Sequence, residues 1–189
     1  MISVSRWSAG ALALGCALLV SSCATIHASS DYYPGADFSK YHKYAWVTDS
    51  PLIRSESTRV QISALTVRRV REAIERVLES KGFEQVASRD NAEFALAFTV
   101  GARDMITMDN YPPYYRGTWD WSPYFGPYVS PDMYTEGMLG IDVFDVSTHE
   151  PVWHGWARKT IVGADIDDPE STINAAVAAI LADFPPKSQ

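Results

Sequence analysis

Ala92-Glu93-Phe94-Ala95-Leu96-Ala97-Phe98-Thr99-Val100-Gly101 alternates strictly between two kinds of side chain. Successive side chains of a strand point to opposite faces. Phe94, Leu96, Phe98 and Val100 therefore share one side, and Glu93, Ala95, Ala97 and Thr99 share the other. The large residues face a core. The alanines leave room for a helix or a neighbouring strand to approach closely on the second side.

Downstream of this strand, Gly137 to Asp145 and Pro151 to Val162 read as two more strands. Ser147-Thr148-His149-Glu150 joins them, a turn-forming run of the right length for a hairpin. Upstream, Tyr44-Ala45-Trp46-Val47 is an aromatic and β-branched strand ended by Asp49, Ser50 and Pro51, and Phe83 to Val86 is a shorter one. Between them a helix is predicted from about Ser57 to Lys81, with Val67, Val70, Ile74, Val77 and Leu78 on one buried face. Arg68, Arg69, Arg71, Glu72, Glu75, Arg76 and Glu79 cover the rest as a solvated face, with Arg71/Glu75 and Glu72/Arg76 four residues apart. Gly82 stands where a left-handed C-terminal cap belongs. A second helix runs from about Pro169 to Asp183, with Asp168 as N-cap, Ile173, Val177, Ile180, Leu181 and Phe184 as its core stripe, and Pro185-Pro186 as its stop. The order β-α-β-β-β-β-α predicts an α+β fold, an antiparallel or mixed β-sheet with two helices packed on it.

The N-terminus is an address. Met1 to Cys23 carries one cation, Arg6, then twelve apolar residues from Ala9 to Val20, then Ser21 and Ser22. Such a run spans about 18 Å as a helix, short of the ~30 Å hydrocarbon core of a bilayer, and reads as a secretion signal over residues 1–22. Val20-Ser21-Ser22-Cys23 resembles the bacterial lipobox, which implies acylation of Cys23 as the mature N-terminus. Cys16 is a rival that would strand Ala17-Leu18-Leu19-Val20 on the mature chain, and an ordinary thiol behind a normally cleaved signal is the plainer alternative. By the same resemblance, Ala24 rather than Asp favours export to the outer membrane, with the domain facing the periplasm. Residues 23–36 then read as the lipidated cysteine and a linker, and 37–186 as a single domain.

The whole chain has 189 residues with 16 basic and 23 acidic side chains, a formal charge of −7. Cleavage before Cys23 leaves 167 residues at −8. An acidic chain without a basic cluster argues against nucleic acid as a partner. The sequence also holds no Gly-x-Ser-x-Gly elbow, phosphate-cradling glycine loop, His-Glu-x-x-His or paired Cys-x-x-Cys. The expectation is accordingly no enzyme, no cofactor and no metal. His27, His42, His149 and His154 are scattered. Asp142 and Asp145 are an odd number of residues apart, hence on opposite faces of a strand and poor catalytic partners. Asp165-x-Asp167-Asp168 offers hard oxygens, yet helix capping explains Asp168 better than a calcium loop.

One segment stands apart. Tyr111 to Tyr134 packs nine aromatic residues and five prolines into 24 positions, within an insertion placed at 105–135. Long connections of this kind are functional or disordered. Tyr114, Tyr115, Trp119, Trp121, Tyr124, Phe125 and Tyr128 are the candidate binding residues, since exposed aromatics supply contact area at little entropic cost. The alternative is an insertion that folds onto its own domain.

Several stretches together resemble the DUF4136 family of bacterial envelope lipoproteins: Asp37-Phe38-Ser39-Lys40-Tyr41 with Tyr44-Ala45-Trp46, Lys81-Gly82-Phe83, Gly140-Ile141-Asp142-Val143-Phe144-Asp145, Val152-Trp153-His154-Gly155-Trp156-Ala157, and Ile180-Leu181 followed by Phe184-Pro185-Pro186. The resemblance implies a periplasm-facing lipoprotein of uncharacterised role and supplies no catalytic residues. The expected function is a non-enzymatic interaction or structural module of the envelope, attached to the membrane through Cys23 and meeting an envelope protein or peptidoglycan through the 111–134 loop. The alternatives are a carrier or sensor of a small apolar or glycan ligand, with aromatics lining a cleft between sheet and loop, and, more remotely, a hydrolase using Asp142 or His154.

Overall fold

The computed structural model describes residues 25–48, 51–107 and 132–186. The strands are β1 (His27–Tyr32), β2 (Lys43–Trp46), β3 (Leu52–Glu56), β4 (Glu84–Gln85), β5 (Phe94–Thr107), β6 (Asp132–Asp145) and β7 (Pro151–Ile161). The helices are α1 (Ala64–Ser80), α2 (Gly163–Asp167) and α3 (Pro169–Leu181). All seven strands form one sheet in the order β1-β7-β6-β5-β2-β4, with β3 on the same edge of β5 as β2. The pairs β1/β7, β7/β6 and β6/β5 are antiparallel, whereas β2 and β3 run parallel to β5 and β4 runs parallel to β2. The result is a mixed sheet in an α+β fold.

The alternating decamer is the sheet's centre. Phe94, Leu96, Phe98, Val100 and Ala102 are buried on one face of β5. Register sets Val143, Ile141 and Leu139 of β6 beside Leu96, Phe98 and Val100, and Trp153 and Ala157 of β7 beyond them. Over this layer α1 lays Val70, Ala73, Ile74 and Leu78, and α3 lays Val177, Ile180 and Leu181. The opposite face carries the small residues Ala95, Ala97, Thr99 and Gly140, of which Ala95 is buried and the others half-buried.

Four expectations require correction. Residues 23–36 are not all linker, because His27–Tyr32 pairs with Arg158–Trp153 of β7 along its whole length. The stretch is polar because β1 is an edge strand, with mostly exposed side chains. The first helix starts at Ala64 rather than near Ser57: Ser63 caps it by accepting from Thr66 N at 3.1 Å, and Leu52–Glu56 before it pairs with Thr99–Arg103. There is a third helix, α2, whose first turn is closed by Val162 N donating to Asp165 Oδ2 at 2.9 Å. Finally, β5 and β6 stay in register out to Thr107 and Asp132, so the outer residues of the 105–135 insertion belong to strands.

Other expectations stand. Gly82 has φ +89°, and Phe83 N donates to Leu78 O at 3.0 Å, as a left-handed helix cap requires. Asp168 caps α3 through Ser171 N at 3.1 Å. On α1 the ion pair that forms is Arg68–Glu72 at 2.7 Å. Arg71 and Glu75 are drawn to Trp46 instead, the guanidinium 4.3 Å from the ring centroid and the carboxylate accepting from Nε1 at 3.0 Å, while Arg76 donates to Asn174 on α3 at 2.7 Å. Tertiary partners outbid the helix-surface pairs that spacing alone suggests.

Candidate functional site

Side-chain size falls along the helix-facing row of β5, from Phe94, Leu96 and Phe98 to Val100 and Ala102, and on β7 Trp153 is followed on that face by Gly155 and Ala157 before Lys159 and Ile161. At the large end the core is aromatic. Phe184 lies 5.1 Å from Trp153, 5.5 Å from Phe83 and 5.9 Å from Phe94, centroid to centroid. Phe38 stands edge-on to both Phe184 and Tyr41. The Trp153 ring also fills the place above Gly155, where an added Cβ would stand 2.2 Å from Cη2 and 2.6 Å from Cγ2 of Ile180.

At the small end the sheet and helices do not meet, and a cavity of about 330 Å³ opens between them. Val100, Ala102, Leu139 and Ala157 form its floor. Ile62 and Val70 line it from α1 and its approach, Ile173 and Ala176 from α3, and Ile26 from the residue just before β1. This volume falls in the range of small-molecule sites, which are mostly apolar with a few placed polar groups. Arg59, Gln61, Thr66 and Arg158 also line the cavity, and its buried ion pair is Lys159–Asp165, with side chains only 11% and 7% exposed. Asp165 also accepts from Thr172 Oγ1 at 2.6 Å and from Val162 N. Burial works to raise its carboxyl, but Lys159, Thr172 and the Val162 N–H outweigh burial and hold it below the ordinary range.

Two further carboxylates are consumed by structure. Asp104 accepts from Ser57 Oγ at 2.7 Å, Thr135 Oγ1 at 2.7 Å and Thr58 N at 2.9 Å, pinning the segment before α1 to the sheet. Those bonds hold it well below the usual carboxylate range. Asp145 is buried and accepts from Lys40 Nζ at 2.6 Å, Tyr41 Oη at 2.8 Å and Thr148 N at 3.0 Å, and also from Ser147. Asp142 emerges on the other face, as alternation requires, with an oxygen 2.7 Å from His154 Nδ1. That pair is half open to solvent above Gly140. His27 and His149 are exposed, on β1 and in the β6–β7 turn. Among the described residues no three His, Cys, Asp or Glu side chains gather as a metal-binding group. Also among them, no helix is long and apolar enough to cross a membrane.

The residues singled out by sequence fall elsewhere: Cys23 and the aromatic set Tyr114, Tyr115, Trp119, Trp121, Tyr124, Phe125 and Tyr128 lie outside the described residues. The expected cleft between the sheet and the aromatic loop lies outside the described residues; the cavity is a separate feature, between sheet and helices, and its apolar lining among the described residues is aliphatic. The taper from Phe94 to Ala102 was the available signal for the cavity.

The family model for DUF4136, a domain of unknown function, matches residues 28–186. The chain belongs to the DUF4136 family. The stretches that carried the resemblance are scattered in sequence and converge in space: Phe38, Phe83, Trp153 and Phe184 build the aromatic cluster, and Tyr41 anchors Asp145. No curated protein matches the sequence. Among solved structures, a DUF4136 family protein from Bacteroides thetaiotaomicron is similar over 85% of this chain and 96% of its own, at 16% identity and a TM-score of 0.54. A PDZ domain protein from Parabacteroides distasonis is similar at 12% identity and a TM-score of 0.52, over 88% of this chain and 37% of its own. The PelC dodecamer from Paraburkholderia phytofirmans gives 12% identity and a TM-score of 0.45, over 84% of this chain and 96% of its own. At these identities the likeness to the first two is one of fold alone.

Proposed function

We propose that this DUF4136 protein is an outer-membrane lipoprotein facing the periplasm, held by acyl groups on Cys23, and that its domain works by binding rather than by catalysis. The observation that carries this is the use to which its buried and internally bonded carboxylates are put. Asp104, Asp145 and Asp165 are each saturated by internal donors that fix a loop, a hairpin turn or a helix start. A catalytic carboxylate needs a free oxygen within reach of substrate. The lipobox supplies the anchor, and several acyl chains hold far better than one, each buried methylene contributing about 0.8 kcal/mol. On this reading the 111–134 segment is the docking surface for an envelope protein or peptidoglycan. A second reading, a carrier of a small ligand, is favoured by the cavity, and its aliphatic walls favour an apolar ligand over a glycan.

Feeding cells a palmitate analogue tests the anchor. The native chain should be labelled and sediment with membranes, and Cys23→Ser should be unlabelled and soluble in the periplasmic extract; a labelled or membrane-bound Cys23→Ser chain overturns it. For the docking surface, a photo-crosslinker at Trp119, Trp121 or Tyr124 should capture a discrete partner, and a yield of lipid alone would refute protein docking.

A further inference from the structure

The cavity's wall chemistry, its buried ion pair and its nearness along the chain to Cys23 converge on one class of ligand. Val100, Leu139, Ile62 and Ile173 present methyl and methylene surface from both sides. The rings of the core lie at the opposite end of the layer, so a flat ring or a sugar face would find nothing to stack on among the described lining. Lys159 stands at the wall with three N–H donors, and Asp165 accepts from it. Asp165 balances the Lys159 ammonium charge, and a carbonyl oxygen can accept one of the other N–H bonds; Arg59 and Arg158 on the same lining add further donors. Ile26 lines the cavity and follows Cys23 by three residues, so it lies at most about 11 Å from Cys23 along the chain.

We infer that the cavity receives one unbranched acyl chain carried on an ester or amide, with the carbonyl at Lys159. The inference rests on the anchor proposed above, which puts acyl groups within chain reach of the Ile26 wall. The chain could be borne by Cys23 itself or belong to a free lipid of the adjoining leaflet, and the two sources differ experimentally.

The mature chain carrying Cys23→Ser, purified without detergent, is titrated with 1-dodecanoylglycerol below its micelle concentration, by calorimetry and native mass spectrometry. One molecule per chain should bind. Ala176→Phe and, separately, Ala157→Leu fill the cavity from opposite walls and should each weaken binding by about tenfold or more, the burial lost from some two methylenes. Cooperative melting identifies which variants fold. Methyl 12-doxylstearate should also broaden the methyl resonances of Val100, Leu139 and Ile173, a readout that needs no cavity variant. Absence of binding, retention of affinity by a folded filled-cavity variant, or broadening elsewhere on the molecule overturns the inference. The acylated native protein then assigns the source: binding about tenfold weaker than in Cys23→Ser places its own chain in the cavity, and equal binding places a free lipid there. Its intact mass reports acylation of Cys23 independently, so failure of the anchor and failure of the cavity cannot be confused.

Discussion

Asp145 shows how one side chain couples distant parts of the sequence. It closes β6, yet it takes bonds from Lys40 and Tyr41, over a hundred positions earlier, and from Ser147 and Thr148 in the next turn. Burial opposes its ionisation, and Lys40, Ser147, Tyr41 and Thr148 together outweigh burial and hold its carboxyl far below the value near 3.9 expected for an unfolded Asp. A group whose folded pKa is depressed contributes stability above the unfolded pKa and loses it as pH falls through the folded one. Asp145→Asn should therefore cost about 2–3 kcal/mol at neutral pH, and the gap in melting temperature between native and variant should narrow from about pH 4 downward. A gap that is constant between pH 7 and pH 2 would show that the charge is immaterial.

At the level of elements, the contact of α3 with β7 depends on Gly155. Gly155→Ala would drive a methyl into the Trp153 ring and Ile180, overpacking of a kind that costs about 1–3 kcal/mol. Gly163→Ala meets nothing within 4 Å and should leave the melting temperature unchanged or raised by a helix-propensity gain of up to about 1 kcal/mol. Thermal denaturation of the two variants side by side checks the contrast. Strand β1 makes its own prediction. Amides within 27–32 that bond to β7 should exchange with solvent far more slowly than those of a free tether, and uniform exchange at random-coil rates would return the segment to linker.

On the scale of the whole molecule, the strands divide the domain into an aromatic end and a hollow end. The pinned β1 leaves only four steps of chain between Cys23 and His27, about 14 Å at full extension, so an anchored domain stays close to the bilayer. In sequence, residues 108–131 separate β5 from β6, whose last described pair is Thr107–Asp132. Closing a 24-residue connection costs about 2 kcal/mol more entropy than closing a two-residue turn. Replacing 108–131 by Asn-Gly should thus stabilise the domain by up to that amount if the segment serves docking, as measured by denaturant unfolding. Destabilisation would mean that it packs on its own domain.

Periodicity and punctuation by themselves determined much of this protein. The two-residue alternation from Ala92 to Gly101, the core stripes of α1 and α3, Gly82 and Asp168 act through the chain's own geometry, and such local rules are legible without a partner. Tertiary structure decided what depends on neighbours distant in sequence. A polar stretch became β1 because β7 offered an open edge, Leu52–Glu56 became β3 because β5 outruns β2, and Arg71 and Glu75 turned to Trp46. The cavity belongs to the same class: β5 shows its own taper from Phe94 to Ala102, but an empty volume exists only where that small end and Ala157 of β7 meet helices held apart above them.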